Sequence, residues 1–453
     1  MIFSSIPFLY YFLPLALLLC YLVPSRARNA FLLLASLVFY AWGEPKYLPV
    51  MAAATALGYG FGLAIQRFRR FRKPLLVLSI ASSLGFLLYF KYADFFLENL
   101  NGLGGNIPLL GLALPVGISF YTFQILSYTV DVYRGEVRAQ RNLIDLACYV
   151  TFFPQLIAGP IVRYKDIAAQ LRDRPQNLDN LRLGAARFLV GLGKKVLLAN
   201  LLGEVCAAWR VTADPSVLFS WLYALSYTLH IYFDFSGYSD MAIGLGKLFG
   251  FSFPENFNYP YISRSVTEFW RRWHMSLGTW FRDYVYIPLG GNRKGKGRQF
   301  LNILIVWMLT GFWHGAAWNF LLWGLYFALL LMAEKAGLPV RGRVYTLAAV
   351  VLGFVLFDAS SLSSALGVKG LFGLGGLPPV STQGLYLLKS NLVLLAVAIL
   401  GATPAPKRLW EQLEAKAPRL SAALAPLGMA ALLLVSTACL VDGSYNPFLY
   451  FRF

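Results

Sequence analysis

The sequence predicts an all-α polytopic membrane protein, and two observations lead to that prediction. Hydrophobic residues make up 58% of the 453 residues and charged residues only 13%, whereas soluble domains carry about 25% charged residues. Apolar runs close to the about 20 residues that a bilayer-spanning helix needs follow one another along the chain. The runs are continuous rather than alternating, which excludes an outer-membrane barrel. We expect about 11–13 transmembrane or re-entrant helices.

The net charge of +19 bears on the partners of the protein. In a soluble protein such a charge would suggest nucleic acid. In a membrane chain, Lys and Arg collect in cytoplasmic loops. We therefore expect membrane lipid and no nucleic acid as a partner. The four cysteines are scattered without metal or disulfide spacing, so we expect neither a metal site nor a bound cofactor.

The first apolar run, at about 3–23, is predicted to be a retained helix, since no positive region precedes it and no cleavage site follows it. Basic residues after it, at 26–28 and 66–73, place these loops inside and the N-terminus outside. The same parity places the C-terminus outside. Further runs are predicted at about 29–42, 47–65, 74–92, 109–130, 344–357, 386–402 and 421–441.

The chain is predicted to form a single integral-membrane domain with three stretches. Residues 1–141 hold N-terminal helices, 142–340 a core with re-entrant or interfacial segments and the candidate functional residues, and 341–453 C-terminal helices with an aromatic tail. In the core, proline and glycine interrupt 142–160, and 217–252 reads as two short helices or as one helix plus a re-entrant segment. Irregular backbone at membrane depth is tolerated only where protein or water lines it. A buried cavity is therefore expected there.

A segment at 263–296 is dense in Trp, Arg and His. Ser265 and Glu268 match a helix capping box. After them, apolar residues recur at three- and four-residue steps as far as Tyr284, which indicates one face of a single helix. The segment carries too many charges to span a bilayer, so we expect an interfacial or re-entrant helix on the inner side.

The next apolar stretch, 301–333, is bracketed by Arg298 and Lys335, so both of its ends should lie inside. It is therefore predicted to be a hairpin of two short helices with His314 near its apex. Gly315 would let backbone or substrate approach closely. An ionisable group inside the membrane is a functional candidate by default, although a membrane histidine can also be a helix-packing residue.

Two further histidines occur in the chain. His274 borders the apolar face of the 263–296 segment, as an active-site residue or as an interfacial histidine without chemical role. His230 is interpreted as a structural residue that pairs with nearby Asp234 and Asp240. The three histidines are thus ranked, with His314 first.

Five segments carry a resemblance to a known family. They are LPVGISFYTFQILSYTVDVYRG (114–135), FPQLIAGPIVRYKD (153–166), YFDFSGYSDMAIGLGKLFGF (232–251), ENFNYPYISRSVTEFWRRWHMSLGTWFRDYVYIPLGGNR (255–293) and TGFWHGAAWNFLLWGLY (310–326). The chain resembles the membrane-bound O-acyltransferase family, in its bacterial branch of alginate and peptidoglycan O-acetyltransferases. The resemblance implies a ring of helices around a thin centre, with funnels from both faces.

The resemblance also implies roles for residues. His314, in its Trp-His-Gly motif, would be catalytic, and His274, in Arg-Trp-His, would be the second active-site residue. At His230 the relatives more often have Gln. Acyl transfer to a hydroxyl needs a base and a stabilised oxyanion. Our hypothesis makes His314 the base while His274 positions the acyl thioester, and the reverse assignment stays open.

The function that the resemblance implies is export of acetyl groups. Acetyl would come from cytosolic acetyl-CoA as donor substrate and pass across the membrane to O-acetylate an extracytoplasmic polysaccharide. A separate extracytoplasmic transferase of the serine-nucleophile type would be the partner. The expected location is a bacterial inner membrane, with a Gram-positive plasma membrane as the alternative.

Further site residues are expected around this chemistry. Trp273, Trp313 and Asn319 should line the pocket. Tyr450, in the aromatic tail, resembles a terminal tyrosine proposed to carry the acyl group outward, with an interfacial anchor as the alternative. The donor phosphates need cations at the inner mouth, for which the candidates are Arg271, Arg272, Arg282, Arg293, Lys294 and Arg298.

Two other functions compete with acetyl export. One is a different acyl transfer of the same family, with D-alanine moved to teichoic acid or acylation of a lipid. The other is a transporter or flippase, which should show inverted repeats and paired broken helices. The sequence has one broken region and no convincing repeat, which favours an enzyme.

Overall fold

A computed structural model of the protein describes residues 1–359, 366–374 and 376–443. All regular secondary structure in these residues is helical, which confirms the all-α class. Tyr450 and the rest of the aromatic tail lie outside the described residues, so the relay hypothesis and the outer position of the C-terminus stay predictions.

The chain divides into two compact units, one with residues 1–188 and 239–255 and the other with 189–238 and 256 onward. In residues 1–193, the α-helices are α1 Leu13–Leu22, α2 Arg28–Ala41, α3 Leu48–Arg67, α4 Arg72–Leu87, α5 Ala93–Gly102, α6 Ile118–Arg134, α7 Leu143–Thr151, α8 Phe153–Leu156, α9 Tyr164–Ile167 and α10 Leu178–Gly193.

The remaining α-helices are α11 Asn200–Arg210, α12 Val217–Leu248, α13 Val266–Arg272, α14 Met275–Phe281, α15 Gly295–His314, α16 Trp318–Ala336, α17 Arg343–Asp358, α18 Leu366–Leu371, α19 Thr382–Ser390, α20 Leu392–Gly401, α21 Ala405–Lys416 and α22 Pro418–Asp442. Single π-helical turns occupy Phe8–Phe12, Leu88–Tyr92, Lys194–Ala199 and Arg282–Tyr286. Short 3₁₀ turns occupy Ser25–Ala27, Pro45–Tyr47, Arg69–Phe71 and Pro260–Ile262.

Several helices are long and apolar enough to cross a membrane. Within the described residues these are Pro45–Arg67, Arg69–Gly102, Trp318–Ala336 and Pro418–Asp442. α19 and α20 together make a fifth candidate that is bent by 56°. These spans support the polytopic class, while the ring with two funnels and the three-stretch division of the domain stay predictions.

The core of the first unit is aromatic. The rings of Phe3, Phe8, Phe39, Phe153 and Phe249 form a continuous set of contacts, with centroids 5.0 Å apart for the first pair and 5.6 Å for the last two residues. Aromatic pairs at this spacing are stabilising beyond the area that they bury. The predicted interruption of 142–160 is also confirmed, because α7 stops at Thr151 and α8 is a single turn.

The prediction for 217–252 is wrong. The segment is one helix, α12, of 32 residues, rather than two short helices or a helix plus a re-entrant segment. It contains no proline that would remove a backbone donor. Because α12 has no single distinct apolar face, its periodicity carried no information about where it begins and ends.

In the second unit, the predicted hairpin is confirmed as α15 and α16, which pack against each other and are longer than expected, at 20 and 19 residues. Two glycines make this packing close. A Cβ on Gly311 would lie 2.3 Å from the carbonyl oxygen of Phe320, and one on Gly324 would lie 2.4 Å from that of Trp307. The hairpin therefore needs glycine at both positions.

Candidate active site

The helix predicted over the 263–296 segment is broken at His274, which corrects the single-helix prediction. α13 ends at Arg272 and α14 begins at Met275. His274 lies between them with φ 44° and ψ 53°, a left-handed conformation that is uncommon for a residue with a side chain. Such a conformation costs about 1–3 kcal/mol and persists only where the surroundings fix it.

Backbone hydrogen bonds from a neighbouring loop hold this break. The amide of Asn258 donates to the carbonyl of Arg272 over 2.9 Å, and the amide of Met275 donates to the carbonyl of Asn256 over 2.9 Å. Upstream, Ser265 caps α13, because its Oγ accepts from the Glu268 amide at 3.0 Å. The Glu268 carboxylate accepts from the amide of Arg264 rather than from that of Ser265, so half of the predicted capping box is present.

The imidazole of His274 is buried, with 3% of the residue exposed. Its Nδ1 lies 3.1 Å from Oδ1 of Asn256. The same Oδ1 accepts from the amide of Ser276 at 3.3 Å and from its hydroxyl at 2.9 Å. The ring of Phe235 contacts the imidazole edge-on, with centroids 4.6 Å apart. The ring is thus fixed in position by the Asn256 loop on one nitrogen.

His314 is the last residue of α15 and is also buried. Its ring meets those of Trp323 and Phe357 nearly at right angles, with both centroid distances at 5.2 Å. The following Gly315 has extended backbone, and a Cβ there would lie 2.1 Å from the ring of Phe320. The close approach expected at Gly315 is therefore made by Phe320.

The structure brings the two predicted histidines together. Both rings contact Trp313, with centroid distances of 6.1 Å for His274 and 5.1 Å for His314. The imidazoles are also close enough to interact electrostatically. Forty positions of sequence separate them, and the α14–α15 connection and the hairpin close that gap within one unit.

The three predicted pocket residues have different surroundings. Trp313 contacts both histidine rings. Asn319 donates through Nδ2 to the carbonyl of Phe357 at 2.9 Å, and so holds the residue whose ring packs on His314. Trp273 packs in the aromatic core, with its ring 5.5 Å from Phe269 and 5.0 Å from Phe354.

His230 has a different environment from the one expected. Its Nδ1 lies 2.6 Å from the carbonyl oxygen of Ala199. Asp234 pairs with Lys195, whose Nζ lies 2.5 Å from Oδ1. Asp240 pairs with Arg187 at 2.6 Å. The two predicted partners of His230 thus form ion pairs with Lys195 and Arg187, and His230 instead contacts a backbone carbonyl.

An open cavity of about 570 Å³ lies at the start of α13 and the end of α16. It is lined by Arg264, Ser265, Thr267, Arg271, Glu334, Lys335, Arg341 and Gly342. Its carboxylate, Glu334, is buried and accepts from the amides of Val266 and Thr267 at 2.6 and 3.0 Å, and from the Thr267 hydroxyl at 2.6 Å. The cavity therefore presents four cationic side chains and one carboxylate whose oxygens face backbone donors.

Of the six cations predicted to bind the donor, Arg271 lines this cavity. Arg272 and Arg282 form ion pairs with Glu268 and Asp283, at 3.0 and 2.7 Å. Arg298 donates to the carbonyl of Leu289 at 3.1 Å. Arg293 and Lys294 are exposed. The four cavity cations, in contrast, make no salt bridge within the described part of the chain.

Sequence reasoning missed Asn256 and three of the cavity cations, Arg264, Lys335 and Arg341. Asn256 lies in the matching segment 255–293, but nothing in its spacing to His274 indicates contact. The cations flank α13 and the hairpin in sequence, and the loop at 341 joins them only after folding. The two buried imidazoles, with a fixed partner for one of them, can move a proton to or from a hydroxyl in a water-poor setting.

Comparisons with known proteins identify the family of this chain. Residues 109–349 match the model of the membrane-bound O-acyltransferase family. The chain is 41% identical to the probable alginate O-acetylase AlgI of Pseudomonas putida, with 100% of each chain covered. It is 35% identical to the peptidoglycan O-acetyltransferase of Helicobacter pylori over 83% of this chain and 80% of that one.

A more distant similarity is to the teichoic acid D-alanyltransferase of Bacillus subtilis, at 31% identity over 48% of this chain and 58% of the relative. The family match covers both histidines and more than half of the sequence. The chain therefore belongs to the membrane-bound O-acyltransferase family and is an O-acyltransferase.

Proposed function

We propose that this protein takes an acetyl group from cytosolic acetyl-CoA and passes it across a bacterial inner membrane, where an extracytoplasmic polysaccharide is O-acetylated. The observation that carries the proposal is the pair of buried imidazoles, His274 and His314, which both contact the ring of Trp313. Relatives named for acetylation of alginate and of peptidoglycan support a glycan as the acceptor.

The chemistry follows from the two imidazoles. A hydroxyl oxygen attacks the thioester carbonyl as an imidazole takes its proton, a new C–O bond forms, and the C–S bond breaks. The thiolate leaves with the proton from the imidazolium, so CoA is released as its thiol. Exclusion of water around the rings limits hydrolysis of the thioester. Both histidines are proposed as catalytic groups in this step.

The final transfer to polymer is proposed to use an extracytoplasmic transferase with a serine nucleophile. Tyr450 would carry the acetyl group to that partner, a proposal that rests on the sequence of the aromatic tail alone. The expected position of both termini outside the membrane is consistent with this transfer, because the C-terminal tail would then face the partner. A D-alanyl donor is a second candidate, supported by the weaker similarity to the teichoic acid D-alanyltransferase.

The test is turnover of acetyl-CoA by the full-length protein in nanodiscs, with wild type beside His314→Ala. Free CoA would be followed with a thiol reagent, and radiolabelled acetyl on the protein and on added polysaccharide would be counted. The proposal expects CoA release that depends on His314. If CoA is not released even with the outer partner and polymer present, the donor assignment is wrong. Turnover of a D-alanyl thioester would then support the second candidate.

The cavity beside α13 gives a prediction about the donor. Its four cations are suited to the phosphates of CoA, and the basic segments around it are predicted to lie on the cytoplasmic side. Replacing Lys335 or Arg341 with Ala should raise the KM for acetyl-CoA about 3- to 10-fold and leave kcat nearly unchanged, because binding of remote phosphates is uniform between ground and transition states.

Arg343→Ala is the matched control for this prediction. Arg343 is exposed and lies two residues from Arg341, but it does not line the cavity. Its replacement should leave KM unchanged, and KM should rise with salt in wild type more steeply than in the cavity variants. An equal rise in KM for Arg343→Ala would mean that general positive charge, rather than the cavity, attracts the donor.

A further inference from the structure

The hydrogen bonds of Asn256 determine which nitrogen of His274 carries the proton. Oδ1 of Asn256 receives the backbone amide of Ser276 at 3.3 Å. A backbone amide can only donate, so the atom facing it must be the amide oxygen and not the NH₂ group. This contact fixes the orientation of the carboxamide, because the oxygen and nitrogen of an Asn side chain are otherwise assigned only from their hydrogen-bond partners. The hydroxyl of Ser276 lies on the same oxygen at 2.9 Å.

The same oxygen lies 3.1 Å from Nδ1 of His274. Since Oδ1 is an acceptor, Nδ1 must be the donor and must carry the proton. In a neutral imidazole one ring nitrogen is a donor and the other is an acceptor. Nε2 of His274 is therefore the ring nitrogen without a proton, and the neutral ring can take a proton through that atom but cannot donate one from it.

We infer that Asn256 is a positioning residue that keeps the proton of His274 on Nδ1 and so presents Nε2 as the proton acceptor of acyl transfer. This inference rests on the proposed function and chooses between the two assignments that the sequence left open. In this assignment, Nε2 of His274 takes the proton of the attacking hydroxyl.

Three features of the structure make Asn256 suited to this role. Its side chain is fully buried, at 0% exposure, so water does not compete for Oδ1. Its backbone carbonyl holds the amide of Met275, which ties the loop to the break at His274. An amide is also neutral, and so it selects a tautomer without favouring the imidazolium as a carboxylate would.

The tautomer can be observed directly, since the chain contains only three histidines. The full-length protein would be labelled with ¹⁵N-histidine in nanodiscs, and the signals assigned with single His→Gln variants. We expect His274 to show a protonated Nδ1 and an unprotonated Nε2 at neutral pH. In Asn256→Ala this preference should be lost. His230 provides an internal reference, because its Nδ1 faces the Ala199 carbonyl and its signal should not change.

The pH dependence of activity is a second measurement, and it would not change if Asn256 had only a structural role. Asn256→Asp keeps an acceptor on Nδ1 but adds a negative charge, so the acidic limb of the kcat/KM profile should move up by about one pH unit or more. Asn256→Ala should lower kcat about 10-fold or more with a smaller change in KM. Asn258→Ala, two positions along the same loop with an exposed side chain, should behave as wild type.

Two results would overturn the inference. One is a wild-type His274 signal with the proton on Nε2. The other is an unshifted pH profile for Asn256→Asp in a protein that transfers acetyl normally. The spectroscopic result does not depend on turnover, so a wild-type protein that fails to release CoA would count against the proposed function and leave the tautomer assignment to be judged by its own signals.

Discussion

Replacing His274 and His314 together is expected to slow acyl transfer no more than replacing the more important one alone. Each single change to Ala should lower kcat by about 10²–10⁴, the usual contribution of a positioned acid or base. The two imidazoles serve one step at one thioester, so losing the second group costs little once the first is gone. The measurement is kcat at saturating acetyl-CoA for both single variants and the double variant in nanodiscs.

Stability must be separated from chemistry in this experiment. Removing the His314 ring leaves space beside Trp323 and Phe357, so His314→Gln should be measured beside His314→Ala. His230→Gln is the matched control, because it removes a buried histidine held by a backbone carbonyl. That variant should keep most of its activity. Losses that multiply in the double variant would mean that the two histidines contribute independently to the barrier rather than as a unit.

The sequence was informative where chemistry concentrates in rare residues. His314 could be singled out because its flanking basic residues predicted a hairpin and placed it near the apex. The hairpin follows from charge parity, which depends on composition rather than on detailed packing. The all-α membrane class follows in the same way from the length and apolar content of the runs.

Features that depend on backbone geometry and long-range contact could not be predicted. The residues around His274 have the helical period and include no proline, and no glycine occupies the position whose left-handed conformation ends α13. The break is imposed by hydrogen bonds from the 256–258 loop. The same loop supplies Asn256, whose contact with His274 is a tertiary event that spacing does not encode.

Residue type alone discriminates poorly among the charged residues, for a physical reason. An excess of Lys and Arg is expected in any cytoplasmic loop, so residue type alone cannot separate a ligand-binding cation from one paired with a neighbour. Arg271 and Arg272 are adjacent in sequence, yet one lines the cavity while the other bonds Glu268. Local acidic partners, such as Asp283 after Arg282, were visible in the sequence and could have reduced the set.

Lys195→Met is expected to destabilise the protein strongly, although the residue lies outside the candidate active site. Lys195 and Asp234 are each 1% exposed, and their charged atoms lie 2.5 Å apart. Removing one partner of a buried ion pair leaves the other charge to be accommodated in an apolar setting, which typically costs about 3–5 kcal/mol. The expected result is a marked fall in the temperature at which the detergent-solubilised protein loses its monodisperse peak.

The double variant Lys195→Met/Asp234→Leu should recover most of that loss, because replacing a buried ion pair with apolar residues of similar volume is often neutral or stabilising. Lys407→Met is the exposed control, since Lys407 and Glu411 are 65% and 56% exposed with 3.8 Å between their charged atoms. Surface pairs of this kind contribute little to stability, so the control should lose its monodisperse peak at the same temperature as wild type.

The comparison of activity in these variants would reveal why the pair exists. Lys195 lies in the π-helical turn Lys194–Ala199, between α10 and α11, and such distortions are often found at functional sites. Charged residues inside membrane proteins are costly unless they serve a purpose. If the double variant is stable and transfers acetyl normally, the pair serves only to fix how α12 packs on that turn. If it is stable but inactive, the two charges belong to the reaction path. A single variant as stable as wild type would instead mean that Asp234 takes up a proton when its ammonium partner is removed.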